Sequence, residues 1–145
     1  MYEQVYDAYC RLSNGDQATL TRSSLTTLAS TPAYYRVLKL SGLADTHQTQ
    51  RILFLFIGTS ISTSEDAVSL TQALHKARVK EAHMVQIIRS GDNSLTYFKR
   101  QLSRCRNIQL NSLGSLAQCW DEHARQGLLK DFILSEDGLA NVQAK

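Results

Sequence analysis

A concentration of basic side chains between residues 94 and 106 has the clearest chemical meaning in this sequence. Four cations lie there without an acidic residue among them: Lys99, Arg100, Arg104 and Arg106. Cations crowded in this way have phosphate as their natural partner. On a helix predicted at 94–105, Arg100 and Arg104 share the face opposite the apolar stripe, and a like-charge pair at this spacing costs roughly 0.2–0.5 kcal/mol. This cost favours an anionic partner over an idle surface.

The same bias extends over residues 67–120. They carry eight Lys or Arg against two Asp or Glu, a net charge of +6, whereas residues 1–66 carry −1 and residues 121–145 carry −2. A block of one sign indicates either a surface for nucleic acid or a solvated helix face. Charge alone leaves both interpretations open.

Side chains that could support catalysis or hold a metal are present, but their spacing is unproductive. Adjacent acids such as Glu65 and Asp66 diverge by about 100° on a helix. The sequence contains no phosphate-binding glycine loop and no nucleophile motif. Cys119 and His123 are four residues apart, but zinc needs three or four ligands and no second close pair occurs. We therefore expect no catalysis, no metal and no cofactor, with a small metal-dependent enzyme as the third-ranked hypothesis.

Length and composition suit one globular domain, with 145 residues of which 43% are hydrophobic and 20% charged. The three cysteines form no disulfide pattern and favour a reducing compartment. No signal-peptide pattern opens the sequence, and the apolar run at 52–57 is too short to cross a bilayer. The expected location is the cytoplasm, without membrane contact.

Helical periodicity dominates and predicts an all-α fold. Nine helices are expected, at about 2–13, 17–22, 32–40, 46–57, 64–77, 81–90, 94–105, 112–125 and 127–134. Together they form a compact bundle of about eight to nine helices over residues 1–134. The linker at 58–64 could divide this domain into subdomains 1–58 and 64–134, and the tail 135–145 is expected to fray.

Local signals place several helix ends. Thr31-Pro32 marks a helix start, and Gly42 follows a helix end. Gly15 suits the left-handed position after the first helix, with Asp16 as the cap of the second. Ser62 and Glu65 match a capping box for the helix that follows.

Six segments show recognisable patterns in a fixed order along the chain. They are 14–22 (NGDQATLTR), 31–38 (TPAYYRVL), 68–74 (VSLTQAL), 86–89 (QIIR), 99–102 (KRQL), and Trp120 with 128–134 (LLKDFIL). In this order and spacing they resemble the CasB family, the small subunit of the type I-E CRISPR Cascade complex. The similarity covers about residues 5–134 of the chain.

The resemblance implies an all-helical fold with two subdomains and no catalytic activity. Members of this family typically sit as two copies along the belly of Cascade and hold the R-loop open through basic surfaces. The implied partners are therefore guide RNA, target DNA with its displaced single strand, the other Cascade subunits and a second copy of the chain. Base pairing would read the sequence while the protein grips the backbone.

The resemblance also selects individual cations. Arg22, Arg89, Lys99 and Arg100 fall on positions that are basic in the family, and Arg125 falls in a basic stretch before the C-terminal signature. Including the two extra cations discussed next, the predicted nucleic-acid-binding residues are Arg22, Arg89, Lys99, Arg100, Arg104, Arg106 and Arg125.

Some positions depart from the family pattern or allow another role. Thr21 stands where the family often has a second arginine, and Arg104 and Arg106 are extra cations that could compensate. Arg36 also matches a basic position, but it follows two aromatic residues, so an internal salt bridge is the alternative.

Taken together, the sequence predicts a non-catalytic subunit that binds DNA or RNA backbone without sequence specificity and stabilises the R-loop. The second hypothesis is a protein–protein adaptor whose basic face meets an acidic partner. The two differ in salt dependence, because only phosphate binding on nucleic acid releases condensed counterions.

Overall fold

Helices make up most of the chain in a computed structural model that describes the backbone of residues 1–144 and the side chains of residues 1–91 and 93–135. The described part is 67% helical, with nine α-helices and two short strands. The helices are α1 (Tyr2–Cys10), α2 (Asn14–Thr21), α3 (Pro32–Ser41), α4 (His47–Phe56), α5 (Leu70–Lys76), α6 (Glu81–Arg89), α7 (Ser94–Leu102), α8 (Leu110–Gln118) and α9 (Glu122–Ala144), and the strands are β1 (Ile61–Ser62) and β2 (Ile108–Gln109). The predicted all-α class is confirmed.

The chain divides into two compact units that are not two continuous halves of the sequence. Unit 1 comprises residues 1–59 and 114–119, and unit 2 comprises residues 60–113 with the chain from Trp120 onward. The first boundary between the units, between Thr59 and Ser60, falls within the predicted linker at 58–64. Nothing in the sequence pattern indicates that residues 114–119 belong to unit 1.

Unit 1 is organised around α4, whose residues from Ile52 to Phe56 are all buried. Such all-round burial explains why the apolar run is continuous rather than amphipathic. Helix α1 packs on α3 and α4, and α2 packs on α3. Edge-to-face contact between the rings of Tyr6 and Phe56, with centroids 6.0 Å apart, joins α1 to α4.

The second segment of unit 1 is held by polar contacts with α4. Arg51 donates from Nε to the Ala117 carbonyl at 2.7 Å and from Nη2 to the Gln118 carbonyl at 2.8 Å. Gln48 also donates to the Gln118 carbonyl, at 2.8 Å. These donors satisfy carbonyls at the end of α8 that have no partner within the helix.

Unit 2 packs α5 and α6 on α9, with α7 against α6. Its buried residues include Leu74, Met84, Ile87, Phe98 and Phe132. Parallel pairing of β1 with β2, in which Ile61 faces Ile108, joins two segments that are distant in sequence.

The helix predicted at 64–77 starts later than expected. Helix α5 begins at Leu70, and its capping box is formed by Ser69 and Gln72 rather than by the predicted pair Ser62 and Glu65. Ser62 lies in β1, where its hydroxyl donates to the Asp66 carboxylate at 3.3 Å. The sequence between the strand and α5 is therefore a turn.

Other helix boundaries also differ from prediction. Ser13 rather than Asp16 caps α2, accepting from the Asp16 amide at 3.1 Å, so Gly15 lies inside the first turn and not in a left-handed position. The helix predicted at 112–125 is two helices, because the Asp121 carboxylate accepts from the Ala124 amide at 2.7 Å and starts α9 anew. Helix α9 continues to Ala144 and includes the predicted helix 127–134, whereas the fraying predicted for residues 135–145 stays a prediction, and Lys145 lies outside the described residues.

Candidate nucleic-acid interface

The basic segment does not form the single helix that the sequence predicts at 94–105. Helix α7 ends at Leu102, the Ser103 hydroxyl donates to the Arg100 carbonyl at 2.7 Å, and Asn107 adopts a left-handed conformation with φ 56°. Asn is one of the few residues with a side chain that tolerates this conformation. Arg104 therefore lies in a turn, and the predicted helical pairing of Arg100 with Arg104 is wrong.

The turn directs the two extra arginines into contacts with main-chain carbonyls. Arg104 donates to the Ala77 carbonyl at 3.1 Å and to the Gln101 side-chain oxygen at 3.2 Å. Arg106 donates to the Cys105 carbonyl at 3.0 Å. Both side chains remain exposed, and each guanidinium has five N–H donors, so most of them stay available to a ligand.

A small cavity in unit 2 gathers cations from two parts of the chain. It has a volume of about 160 Å³, and its lining includes Lys76 from the end of α5 together with Arg104, Arg106, Asn107 and the carboxylate of Asp66. The Ser64 hydroxyl, assisted by Ser62, lowers the pKa of the Asp66 carboxyl, so this group is an anion at neutral pH. Three cations against one anion leave the cavity with an excess of positive charge.

None of these three cations forms an ion pair within the side chains that the structure describes. The ion pairs of the described side chains include Met1–Glu3 through the terminal amine, Arg11–Asp7 and Arg36–Asp16, all in unit 1. The last of these, at 2.6 Å, confirms the internal salt bridge that was the alternative for Arg36. The excess of basic residues in this part of the sequence thus persists as an excess of positive charge at the cavity.

Burial shifts the pKa of two side chains in the basic segment, Lys99 and Cys105. Burial lowers the pKa of the half-buried Lys99 amine to about 8, so the amine is mostly charged at neutral pH and mostly neutral at pH above about 9. Burial raises the pKa of the Cys105 thiol to about 11, although the charges of Arg104 and Arg106 act in the opposite direction. Cys105 therefore stays protonated and is a packing residue rather than a nucleophile.

Arg100 is separated from the cationic cavity and lines a larger cleft of about 360 Å³. This cleft lies between the end of α6 and the first turns of α7, with Tyr97 and the amide side chains of Gln86 and Asn93 in its lining. Arg89 is the last residue of α6 and is exposed. Phe98 is buried beside the half-buried Tyr97, so one ring of this aromatic pair packs in the core.

Arg125 makes a different kind of contact. Its guanidinium carbon lies 5.8 Å from the centre of the Trp120 ring, whose other neighbour is the stacked ring of Phe98 at 4.9 Å. The Trp120 ring nitrogen donates to the Ser94 hydroxyl at 3.1 Å. Arg125 is half-buried, and its Nε has no hydrogen-bond partner. This placement gives Arg125 a packing role in unit 2, whereas its role toward nucleic acid stays a prediction.

Arg22 belongs to unit 1, where it caps the end of α2 and is exposed. The other six predicted cations all belong to unit 2. Its assignment to nucleic acid stays a prediction from the resemblance alone.

Among the side chains that the structure describes, no group of three His, Cys, Asp or Glu could hold a metal ion. His75 instead stacks on Phe132 with centroids 4.0 Å apart, and its Nε2 lies 2.8 Å from the Phe132 carbonyl oxygen. No helix in the described part of the chain is both long enough and apolar enough to span a bilayer.

Comparison with solved structures shows what this fold is similar to. A chain in a crystal structure of E. coli Cascade bound to a PAM-containing dsDNA target matches this fold with a TM-score of 0.79 and 26% sequence identity, over 92% of this chain and 95% of that chain. No family model matches the sequence, and no curated protein matches it. The resemblance to a Cascade subunit is confirmed.

The structure brings together only some of the predicted residues. Arg104 and Arg106 meet at one cavity, Arg100 lines a second, and Arg22 lies in the other unit. Lys76 joins the first cavity although it was not among the predicted residues. A signal was available, because Lys76 belongs to the basic block, but the turn that brings it to Arg104 is not encoded in any periodicity.

Proposed function

We propose that this chain is a non-catalytic Cascade subunit that binds the backbone of DNA or RNA without sequence specificity and stabilises the R-loop. Its partners would be target DNA with the displaced strand, guide RNA, neighbouring Cascade subunits and a second copy of itself, in the cytoplasm. The likeness in fold to a chain of DNA-bound Cascade supports this role.

The observation that carries the proposal is the cationic cavity at Lys76, Arg104 and Arg106. Its volume of about 160 Å³ is roughly ten times the 10–15 Å³ or so that a cavity needs to hold one water molecule, so it admits one phosphate group with some of its water. Arginine can grip phosphate with two parallel N–H donors, and lysine adds a compact charge. None of these contacts involves a base edge, so the cavity would not read sequence.

The test measures the salt dependence of binding to a fluorescent single strand. The variant is Lys76→Glu with Arg106→Glu, which spares Arg104 because that residue also holds the turn through the Ala77 carbonyl. Each phosphate contact contributes a slope of about −0.7 on single strands, so losing two contacts should make the slope shallower by about 1.4.

A matched control is available in Lys39→Glu with Lys130→Glu. Both lysines are exposed and lie on α3 and α9, away from the cavity lining. This double variant changes the net charge equally and should retain the slope. If both double variants reduce the slope equally, the chain binds through its overall charge and the cavity has no special role. If wild type does not bind the strand even at low salt, the adaptor hypothesis moves ahead.

A further inference from the structure

The cleft at Arg100 differs in chemistry from the cationic cavity. Among the side chains that the structure describes, its lining has one aromatic ring, one guanidinium, two amides and two hydroxyls, from Tyr97, Arg100, Gln86, Asn93, Ser90 and Thr96. Its volume of about 360 Å³ is more than twice that of the cavity at Lys76. A bare phosphate would fill it poorly, whereas a flat group with polar edges would meet matching side chains.

The polar groups of the cleft keep free hydrogen-bonding capacity. The Ser90 hydroxyl donates to the Gln86 carbonyl at 2.6 Å, and the Gln86 amide nitrogen lies 3.3 Å from the same hydroxyl. This leaves the Gln86 side-chain oxygen and one of its N–H donors for a ligand. No side-chain hydrogen bond or ion pair of Asn93 or Arg100 occurs among the described side chains.

The cleft also contains an aromatic ring, that of Tyr97, on which a flat ligand could stack. Tyr97 is half-buried, so α7 fixes its position while part of its surface remains open. It stands next to Phe98, which anchors the same turn in the core of unit 2. Aromatic rings held in this way are the platforms on which proteins stack single-stranded bases, at about 1–3 kcal/mol per base.

We propose that this cleft receives one unstacked nucleobase of a single strand, with Tyr97 against its face, the amides of Gln86 and Asn93 at its edge and Arg100 on the adjoining phosphate. This inference rests on the proposed function and adds a preference for single strands, because a base in a duplex is already stacked and paired. Amide side chains offer both donors and acceptors, so every base finds partners there and no sequence is selected.

The test compares two fluorescent strands that have the same number of phosphates. One is oligodeoxythymidine, and the other has the same length with abasic sites throughout. Wild type should bind the intact strand about 5- to 150-fold more tightly, which corresponds to one stacked base. In Tyr97→Ala this ratio should fall to near one, while the salt slope of the abasic strand stays as in wild type.

Two further variants serve as a control and as a replacement for Tyr97→Ala. Tyr35→Ala removes a tyrosine that is 47% exposed on α3 in unit 1, and it should leave the ratio unchanged. Tyr97→Leu keeps apolar volume on α7 without an aromatic face, and it replaces Tyr97→Ala if that variant fails to fold by circular dichroism.

The outcomes separate this inference from the function on which it rests. Equal affinity of wild type for both strands, with a steep salt slope, overturns the base cleft and leaves backbone binding intact. A ratio that survives in a folded Tyr97 variant places the base elsewhere and also overturns the inference. Failure of both strands to bind at low salt overturns the inference and the proposed function together.

Discussion

Two glycines in helices should respond in opposite ways to the same substitution, Gly→Ala. Gly114 lies in α8, where an added Cβ would come within 2.9 Å of Tyr2 Cε2 and closer still to the ring atoms Cγ and Cδ2. Gly127 lies in α9, where an added Cβ would meet nothing within 4 Å. The pair therefore isolates steric conflict from helix propensity.

The magnitudes follow from two competing effects. Alanine is favoured over glycine in a helix interior by about 0.8–1.0 kcal/mol, and overpacking costs typically about 1–3 kcal/mol. At Gly127 only the first effect operates, so Gly127→Ala should stabilise. At Gly114 the nearest atoms belong to the base of the Tyr2 ring, which cannot yield without moving the whole side chain. The overpacking cost should therefore lie in the upper part of its range, at about 2–3 kcal/mol, so Gly114→Ala should destabilise by about 1–2 kcal/mol net.

Thermal unfolding of the two variants measures the difference. Gly114→Ala should lower Tm by about 3–8 °C for a chain of this size, and Gly127→Ala should raise it. In a Tyr2→Ala background the conflict disappears, so Gly114→Ala should become neutral or stabilising, a coupling of about 2–3 kcal/mol. Stabilisation by Gly114→Ala in the wild-type background would show that the close approach to Tyr2 is not a feature of the folded chain.

Three further substitutions test the electrostatic environment of buried groups. Because the folded-state pKa of Lys99 is about 8 and its unfolded value is about 10.4, the unfolded chain binds more protons between these values, and the free energy of unfolding should rise as pH increases from about 8 to 10. Lys99→Met should remove this rise, as followed by urea unfolding at several pH values, and an unchanged rise would contradict the burial of the amine. Tyr34 donates to the Asp45 carboxylate at 2.6 Å and is the main cause of its lowered pKa, so Tyr34→Phe should raise the Asp45 pKa in an NMR titration. Arg125→Met loses a cation–π contact worth about 0.5–1 kcal/mol but removes an unpartnered buried Nε that costs about 1–3 kcal/mol. The variant should be as stable as wild type or more stable by Trp120 fluorescence, and a large loss would mean that Nε has a partner.

Helices with strong local signals could be predicted from the sequence. The Pro32 start and the Gly42 end of α3 agree with the structure, where Gly42 has φ 74°. The buried helix α4 follows equally directly from its continuous apolar run. In these elements, local backbone preference and burial favour the same conformation, so the helix that the sequence predicts is also the one found in the folded chain.

Features that depend on distant contacts could not be predicted. Ile61 pairs with Ile108, so the segments around these two residues are extended where the periodicity predicts helix. Helix α5 therefore begins later, and helix α7 ends earlier, than the sequence pattern predicts. Periodicity contains no information about that pairing, because each strand is only two residues long. The placement of Arg104 and Arg106 could not be predicted for the same reason, because the turn after α7 determines where their side chains lie.

The bonds from Arg51 and Gln48 to the last carbonyls of α8 have a consequence for synthesis on the ribosome. Residues 1–59 emerge first, but the carbonyls of Ala117 and Gln118 that complete unit 1 are made only after 60–113. The Arg51 guanidinium is thus without these acceptors while about half of the chain is being translated, and closing so long a loop carries an entropic cost. Domains usually fold in order from the N-terminus, but here the N-terminal unit would be finished last. A fragment ending at Thr59 should therefore behave as an incomplete unit that needs residues 114–119 to be supplied.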